Sequence, residues 1–260
     1  MARSWWGLAD EAMCKLRGDR IAMVFQEPMT ALNPLHSVGD QVAEPLRLHQ
    51  GASRAQARDA ALHLLERVHL PQAAQRLDAY PHQLSGGQRQ RVTIAMALAC
   101  GPDLLIADEP TTALDVTIQR EILDLMTELV RQSGMALLLI SHDLGVMARV
   151  VSRMLVMYGG TVVESGPTAE VFAKQAHPYT RGLYGARPRL GAPRVEGRRQ
   201  RLLTIPGRVP ELVDMPPGCP FADRCAHVTA ACHEAMPAPW TVGPGHGVRC
   251  IHPRLTAPAL

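Results

Sequence analysis

Apolar positions along this chain recur with two different periods. Short solid runs at Ile21-Ala-Met-Val-Phe25, Leu104-Leu-Ile-Ala107 and Ala136-Leu-Leu-Leu-Ile140 are bounded by polar or turn residues. That pattern predicts strands buried within a sheet. From residue 38 to 99 the texture turns helical, with Ala60, Leu64, Leu65 and Val68 at helical spacing and breaks at Pro71 and Tyr80-Pro81. Ser85 stands as the N-cap of a helix through Arg91 to about Ala99. A second helix is expected over 116–132, with Ile118, Ile122, Leu125 and Leu129 on one face. Residues 154–158 and 161–165, joined by Gly159-Gly160, predict a hairpin. Alternating strands and helices indicate an α/β fold with a largely parallel, layered sheet. Beyond about Pro188 the chain becomes rich in Pro, Gly and Arg with little periodicity, as expected of a linker and a tail without a large core. No internal repeat is present.

Composition narrows the class. The chain has 260 residues, 47% of them hydrophobic, enough for one sizeable core and a small appended module. Its strongly apolar runs, such as residues 135–140, fall far short of the ~20 residues of a membrane span. Met1-Ala-Arg-Ser-Trp-Trp does not read as a signal peptide, so a cytosolic setting is expected. A net charge of +3 gives no general case for nucleic-acid binding. Basic residues are overwhelmingly Arg, with Lys only at 15 and 174, and neither lies in a glycine-rich turn.

The candidate chemistry gathers at strand ends and one helix start. Asp108 and Glu109 follow a buried strand, at the end where open α/β sheets place ligands. One carboxylate can hold Mg²⁺ while the next orients or deprotonates an attacking water. His142 lies just past the next strand, where a neutral imidazole can hydrogen-bond a phosphate. Ser85, Gly86, Gly87 and Gln88 open a helix, and backbone amides at the positive end of a helix dipole form an anion site. Each feature alone has an ordinary alternative: a surface Asp-Glu pair, a lone histidine, a flexible turn. Their order and spacing favour the functional reading.

Leu84-Ser-Gly-Gly-Gln-Arg-Gln-Arg91 followed by Leu104-Leu-Ile-Ala-Asp-Glu-Pro110 closely resembles the signature motif and Walker B strand of ABC-type ATPases. His142 matches the switch histidine, Ala113-Leu114-Asp115 the D-loop, and Gln26 the Q-loop glutamine that contacts Mg²⁺. Phe25-Gln-Glu-Pro-Met-Thr-Ala-Leu-Asn-Pro34, Tyr80-Pro-His-Gln-Leu and His177-Pro-Tyr-Thr-Arg-Gly-Leu183 resemble the peptide-importer branch, which handles dipeptides, oligopeptides or nickel. The resemblance spans roughly residues 8–255. It implies an ATP-binding and hydrolysing subunit that energises import, with Glu109, His142 and Gln26 catalytic and Asp108 and Gln26 holding Mg²⁺. Ser85, Gly86, Gly87, Gln88 and Asp115 would meet nucleotide across a sandwich dimer. It also implies a second ATPase subunit, integral-membrane permease subunits, indirect contact with a solute-binding protein, and a peripheral place on the cytoplasmic face of the inner membrane. Four parts are expected: residues 1–37 with the Q-loop, a helical subdomain over 38–100, the rest of an incomplete RecA-like core over 101–187, and an extension over 188–260.

Of the six cysteines, Cys219, Cys225, Cys232 and Cys250 crowd the tail with spacing C-x5-C-x6-C-x17-C. Such clusters in a cytosolic chain point to metal or redox chemistry before disulfides. The resemblance implies a [4Fe-4S] cluster. Zinc, recruiting His227, His233 or His246, and free thiols are the alternatives; Cys14 and Cys100 are expected to be small apolar fillers.

One part of the family pattern is missing. No G-x-x-x-x-G-K-[S/T] phosphate loop occurs in the 260 residues. Three explanations stand at this point: a misassigned start, a truncated remnant, or a subunit that lends only its signature half-site to a full-length partner. The chain as it stands is also expected to expose apolar surface and strand edges.

Overall fold

A computed structural model describes residues 7–112, 114–187 and 204–253. The chain divides into two compact units, residues 1–142 and 143–260. The expected linker from residue 188 lies mostly outside the described residues.

In the first unit, helix α1 (Asp10–Leu16) precedes strand β1 (Ile21–Val24), then helices α2 (Pro28–Ala31), α3 (Val38–Gln50), α4 (Arg54–Arg67), α5 (Ala73–Arg76) and α6 (Gly86–Leu98). Strand β2 (Leu104–Asp108), helix α7 (Val116–Ser133) and strand β3 (Ala136–Ile140) complete it. The sheet is parallel in the order β1-β2-β3, with Val24 opposite Ala107 and Asp108 opposite Ile140.

Local chemistry explains the helix limits. Ser37 caps α3, and Gly51 ends it in the left-handed region at φ 66°. Ser53 and Gln56 form a reciprocal capping box on α4, as Ser85 and Gln88 do on α6. Helices α3, α4 and α6 pack together, burying Val42, Leu46, Ala57, Ala61, Leu65 and Val92. Helix α7, capped by Asp115 and ended by Gly134, buries Ile122, Leu125 and Leu129, as its period predicts.

Parallel sheets are ordinarily covered on both faces. Here Ala22, Val24, Leu105, Ala107 and Leu139 are buried, while Met23, Leu138 and Ile140 on the opposite pleat are exposed. The expected exposure of apolar strand surface is thus found.

In the second unit, helix α8 (Leu144–Val150) leads into the hairpin of β4 (Arg153–Tyr158) and β5 (Thr161–Pro167), turned by Gly159 and Gly160, both with positive φ. Helices α9 (Thr168–Lys174) and α10 (Pro178–Gly185) follow. After them come the short helix α11 (Ala231–Glu234) and strands β6 (Trp240–Gly243) and β7 (His246–Val248). The antiparallel order is β4-β5-β7-β6, so the tail supplies two strands of this sheet. Met154, Val156 and Tyr158 on β4 alternate inward and pack with Val163, Val171, Phe221 and Ala222. Tyr158 meets Phe221 and Tyr179 edge-on, with centroids at 5.2 and 4.7 Å. Arg224 holds the chain leading in, donating to Tyr158 Oη, Pro206 O and Ile205 O.

At the centre of this unit Glu164 is completely buried, as is His246. Its Oε1 accepts from Ala176 N at 2.9 Å and pairs with His246 Nε2 at 2.8 Å; its Oε2 accepts from His177 N at 2.8 Å. One carboxylate therefore ties β5, the α9–α10 junction and β7 together. Replacing Glu164 by Ala orphans all three partners in a dry site, which costs about 3 kcal/mol or more. Urea unfolding of E164A should show a lowered midpoint with an unchanged slope, and a wild-type midpoint would refute the assignment.

Candidate functional site

The parallel register brings the ends of all three strands of the first unit to one edge. Glu109 directly follows β2, His142 lies two residues past β3, and Gln26 two past β1. These side chains converge on one carboxylate. Gln26 Nε2 donates to Glu109 Oε2 at 3.1 Å, Thr112 Oγ1 donates to the same oxygen at 3.0 Å, and His142 Nδ1 lies 3.0 Å from Oε1. Thr112 went unnoticed in the sequence, where it is one of two threonines after Pro110.

Glu109 adopts φ 43°, in the left-handed region that a non-glycine residue occupies at a cost of roughly 1–3 kcal/mol. Its own N–H is fixed to Ile140 O at 3.0 Å, and its carbonyl accepts from Thr112 N at 3.1 Å. The hydrogen bond from His142, then that from Thr112, holds the carboxyl below the ordinary glutamate value. A carboxylate only accepts, so Nδ1 of His142 carries the proton. In a neutral ring Nε2 is then an acceptor. To donate to an anion, His142 must take a second proton or turn away from Glu109. Asp108 closes β2 opposite Ile140, beside this cluster in sequence.

The signature segment stands at the start of α6. Ser85 Oγ accepts from Gln88 N at 3.4 Å, and Gln88 Oε1 accepts from Ser85 N at 3.0 Å. Gly86 faces Leu114, and a Cβ on Gly87 would fall 2.7 Å from Ile118 Cγ2. Small residues here let α6 approach the first turn of α7 closely. Asp115, expected to meet nucleotide, caps α7 by accepting from Thr117 N and Ile118 N at 3.1 and 3.0 Å. Ala113 lies outside the described residues. Just past the glutamine of β1, Gln41 is buried and brackets the next loop, bonding Asn33 N, Asn33 O and His36 O.

A separate cavity lies in the second unit. Cys219, Cys225, Cys232 and Cys250 all line it, with His177, Phe221, His227 and His252. Gly218 lets the chain before Cys219 touch the backbone of Cys232, whose carbonyl accepts from Cys219 N at 2.8 Å. Backbone N–H groups reach the sulfurs: His227 N to Cys225 at 3.4 Å, Thr229 N to Cys232 at 3.5 Å, His252 N to Cys250 at 3.3 Å, and those of Phe221 and Ala222 at Cys219. Burial pushes the thiols of Cys219 and Cys225 up, and that of Cys250 to about 11. Burial also pushes His177 down to about 4. Among the described residues no three His, Cys, Asp or Glu side chains are grouped so as to hold a metal ion. Of the histidines considered for zinc, His246 is bound to Glu164, and His233 lies 3.8 Å from Asp223; neither lines the cavity. Cys14, expected to fill apolar space, is exposed; it sits on α1, which buries nothing.

Two outcomes follow from this geometry. Gly87→Ala should destabilise the protein by roughly 1–3 kcal/mol through overpacking, and Ile118→Ala should recover part of that in a double-mutant cycle. Strict additivity of the two changes would exclude the contact. For Glu109, a folded value below the unfolded one means stability is present above the ordinary carboxylate range and lost as pH falls through the depressed value. Carboxyl-carbon NMR should find Glu109 below the ordinary value, and His142→Ala should raise it; no change in H142A would exclude His142 as the chief cause.

Comparison with known proteins gives the family. The ABC transporter family profile matches residues 8–112, and the profile "oligopeptide/dipeptide transporter, C-terminal region" matches residues 163–232. A peptide import ATP-binding protein of Brucella melitensis is 57% identical over 243 residues, 93% of this chain and 72% of that one. The oligopeptide transport ATP-binding protein of Salmonella typhimurium is 47% identical over 246 residues, 95% of this chain and 72% of that protein. The dimeric structure of a bacterial ABC transporter cassette superposes with a TM-score of 0.55 at 36% identity, over 62% of this chain and 68% of the other. Among the described residues no helix is long and apolar enough to cross a membrane. The chain belongs to the ABC transporter ATP-binding proteins, in the group of the peptide-import subunits.

Proposed function

We propose that this chain is the ATP-binding subunit that drives peptide import through an ABC transporter, working at the cytoplasmic face of the membrane. The reading is carried by the convergence of Gln26, Thr112 and His142 on Glu109 in a chain closely similar to peptide-import ATP-binding proteins along nearly all its length. Bound Mg²⁺-ATP supplies the phosphoryl group that water attacks and the charge that polarises it. Asp108 and Gln26 are the residues that would hold the metal. Glu109, kept ionised by its neighbours, orients water and takes its proton at Oε1 or Oε2. Gln26 and Thr112 fix the direction of that carboxylate, and the backbone at φ 43° presents it beyond the strand.

The first-turn amides of α6, with the Ser85 hydroxyl, face the nucleotide of a partner ATPase subunit, and Asp115 holds the neighbouring turn. Peptide passage belongs to separate permease subunits fed by a solute-binding protein. The segment of residues 26–34, which includes α2, is the docking surface for the permease, with Phe25 and Leu35 exposed beside it.

The cysteine cavity is read as a [4Fe-4S] site. A single tetrahedral ion would draw four sulfurs to within about 3.8 Å of one another. A cluster bonds each thiolate to a different iron and accepts a wider ring, consistent with four cysteines that share a cavity without forming a single-ion site. Backbone N–H donors at the sulfurs suit thiolates rather than thiols.

Reconstitution with permease and partner ATPase in vesicles tests the assignment. Ser85→Arg should abolish ATP-dependent peptide uptake, and Glu109→Gln should slow hydrolysis by about 10²–10⁴-fold. Uptake indifferent to S85R overturns the reading. Loss with S85R but not with E109Q would show a subunit that lends only its signature half-site.

A further inference from the structure

Among the residues lining the cavity of Cys219, Cys225, Cys232 and Cys250, His177 carries a ring nitrogen that cysteine ligation leaves unused. His177 lines the same cavity, its ring is buried, and its Nε2 has no hydrogen-bond partner. The other ring nitrogen is committed: Nδ1 accepts from Tyr179 N at 3.0 Å, capping α10. A nitrogen that accepts from N–H carries no proton, so the proton of a neutral ring sits on Nε2. His177 therefore brings a buried, unanswered N–H donor to a cavity whose walls carry four sulfurs.

The ring is held firmly in that attitude. His177 N donates to the buried Glu164 at 2.8 Å, Pro178 opens the helix behind it, and the Phe221 ring lies at a centroid distance of 6.0 Å. Gln90, Thr180 and His246 also carry a buried polar atom without a partner, but His177 stands in the wall of the cysteine cavity, where an acceptor would satisfy it. An anionic, sulfur-rich group is such an acceptor; a ring of neutral thiols is a poor one.

We infer that His177 donates its Nε2–H to a sulfur of the group held by the four cysteines and so tunes that group's reduction potential. The inference rests on the cluster reading above. His177 acts as a positioning and tuning residue, not as a ligand. A hydrogen bond to sulfur favours the more negative, reduced state, so its loss should make the cluster harder to reduce.

Two substitutions separate the ring's two jobs. In His177→Asn the amide oxygen can stand in for Nδ1 and keep the helix cap, while the donor in the cavity is lost. In His177→Gln the amide nitrogen reaches toward the place of Nε2 and restores the donor. The full chain and both variants would be reconstituted anaerobically with ferrous iron and sulfide, then titrated for potential by EPR. Wild type should load a cluster, H177N should move to a more negative potential, and H177Q should lie near wild type. Equal potentials in wild type and H177N overturn the inference while leaving the cluster intact. Loading lost in H177N but kept in H177Q supports it; loading lost in both marks a packing role and overturns it. Wild-type protein that takes up no iron and sulfide overturns the cluster reading, and this inference with it.

Discussion

Parallel pairing of β1, β2 and β3 is the constraint on which the nucleotide chemistry depends. Parallel strands bring their C-terminal ends to one edge, and the register of Asp108 against Ile140 makes those ends level. Gln26, Glu109 and His142 are far apart in sequence, yet each lies just beyond a strand end, and Gln26 and His142 both reach Glu109. A register slip of one residue would move His142 by about 3.3 Å and reverse the pleat of its strand. The sheet thus specifies the site more tightly than the loops do. The left-handed backbone at Glu109 is the local cost of turning its side chain toward the neighbours.

The second unit is organised differently, around a buried carboxylate rather than a sheet edge. Burying Glu164 without partners would be prohibitive, and two backbone N–H groups with one imidazole offset that cost. The satisfaction of this one group fixes His177 at the start of α10, which in turn presents the ring to the cysteine cavity. The cysteine cavity is therefore built beside a polar knot, with Phe221 and Ala222 of the tail packed into the same core.

Much of this was legible along the chain. The three parallel strands, the long helices and the glycine-turned hairpin follow from period and punctuation alone, because in each case burial, propensity and capping agree. Ser85, Glu109 and His142 could be singled out by their places at element ends, whereas Gln26 is picked out only by the family resemblance. Other features carry no linear signal. Strand β7 is three residues long, and its pairing with β5 depends on Glu164 meeting His246 across 82 residues. Thr112 looks like any turn threonine until the fold sets it beside Glu109. His177 stood out only as part of a familiar heptapeptide, since nothing local reveals that its Nε2 is buried and unanswered.

The two polar centres also illustrate opposite uses of solvent. Glu109 is near water and is tuned by hydrogen bonds, which lower its proton affinity and favour the ionised form that the proposed role requires. The cavity cysteines are buried or half-buried, and burial raises the proton affinity of Cys219, Cys225 and Cys250. On the cluster reading proposed above, loading would expel protons and bring charge into the cavity, and the backbone N–H groups at the sulfurs and the His177 donor are the described groups that would soften that step.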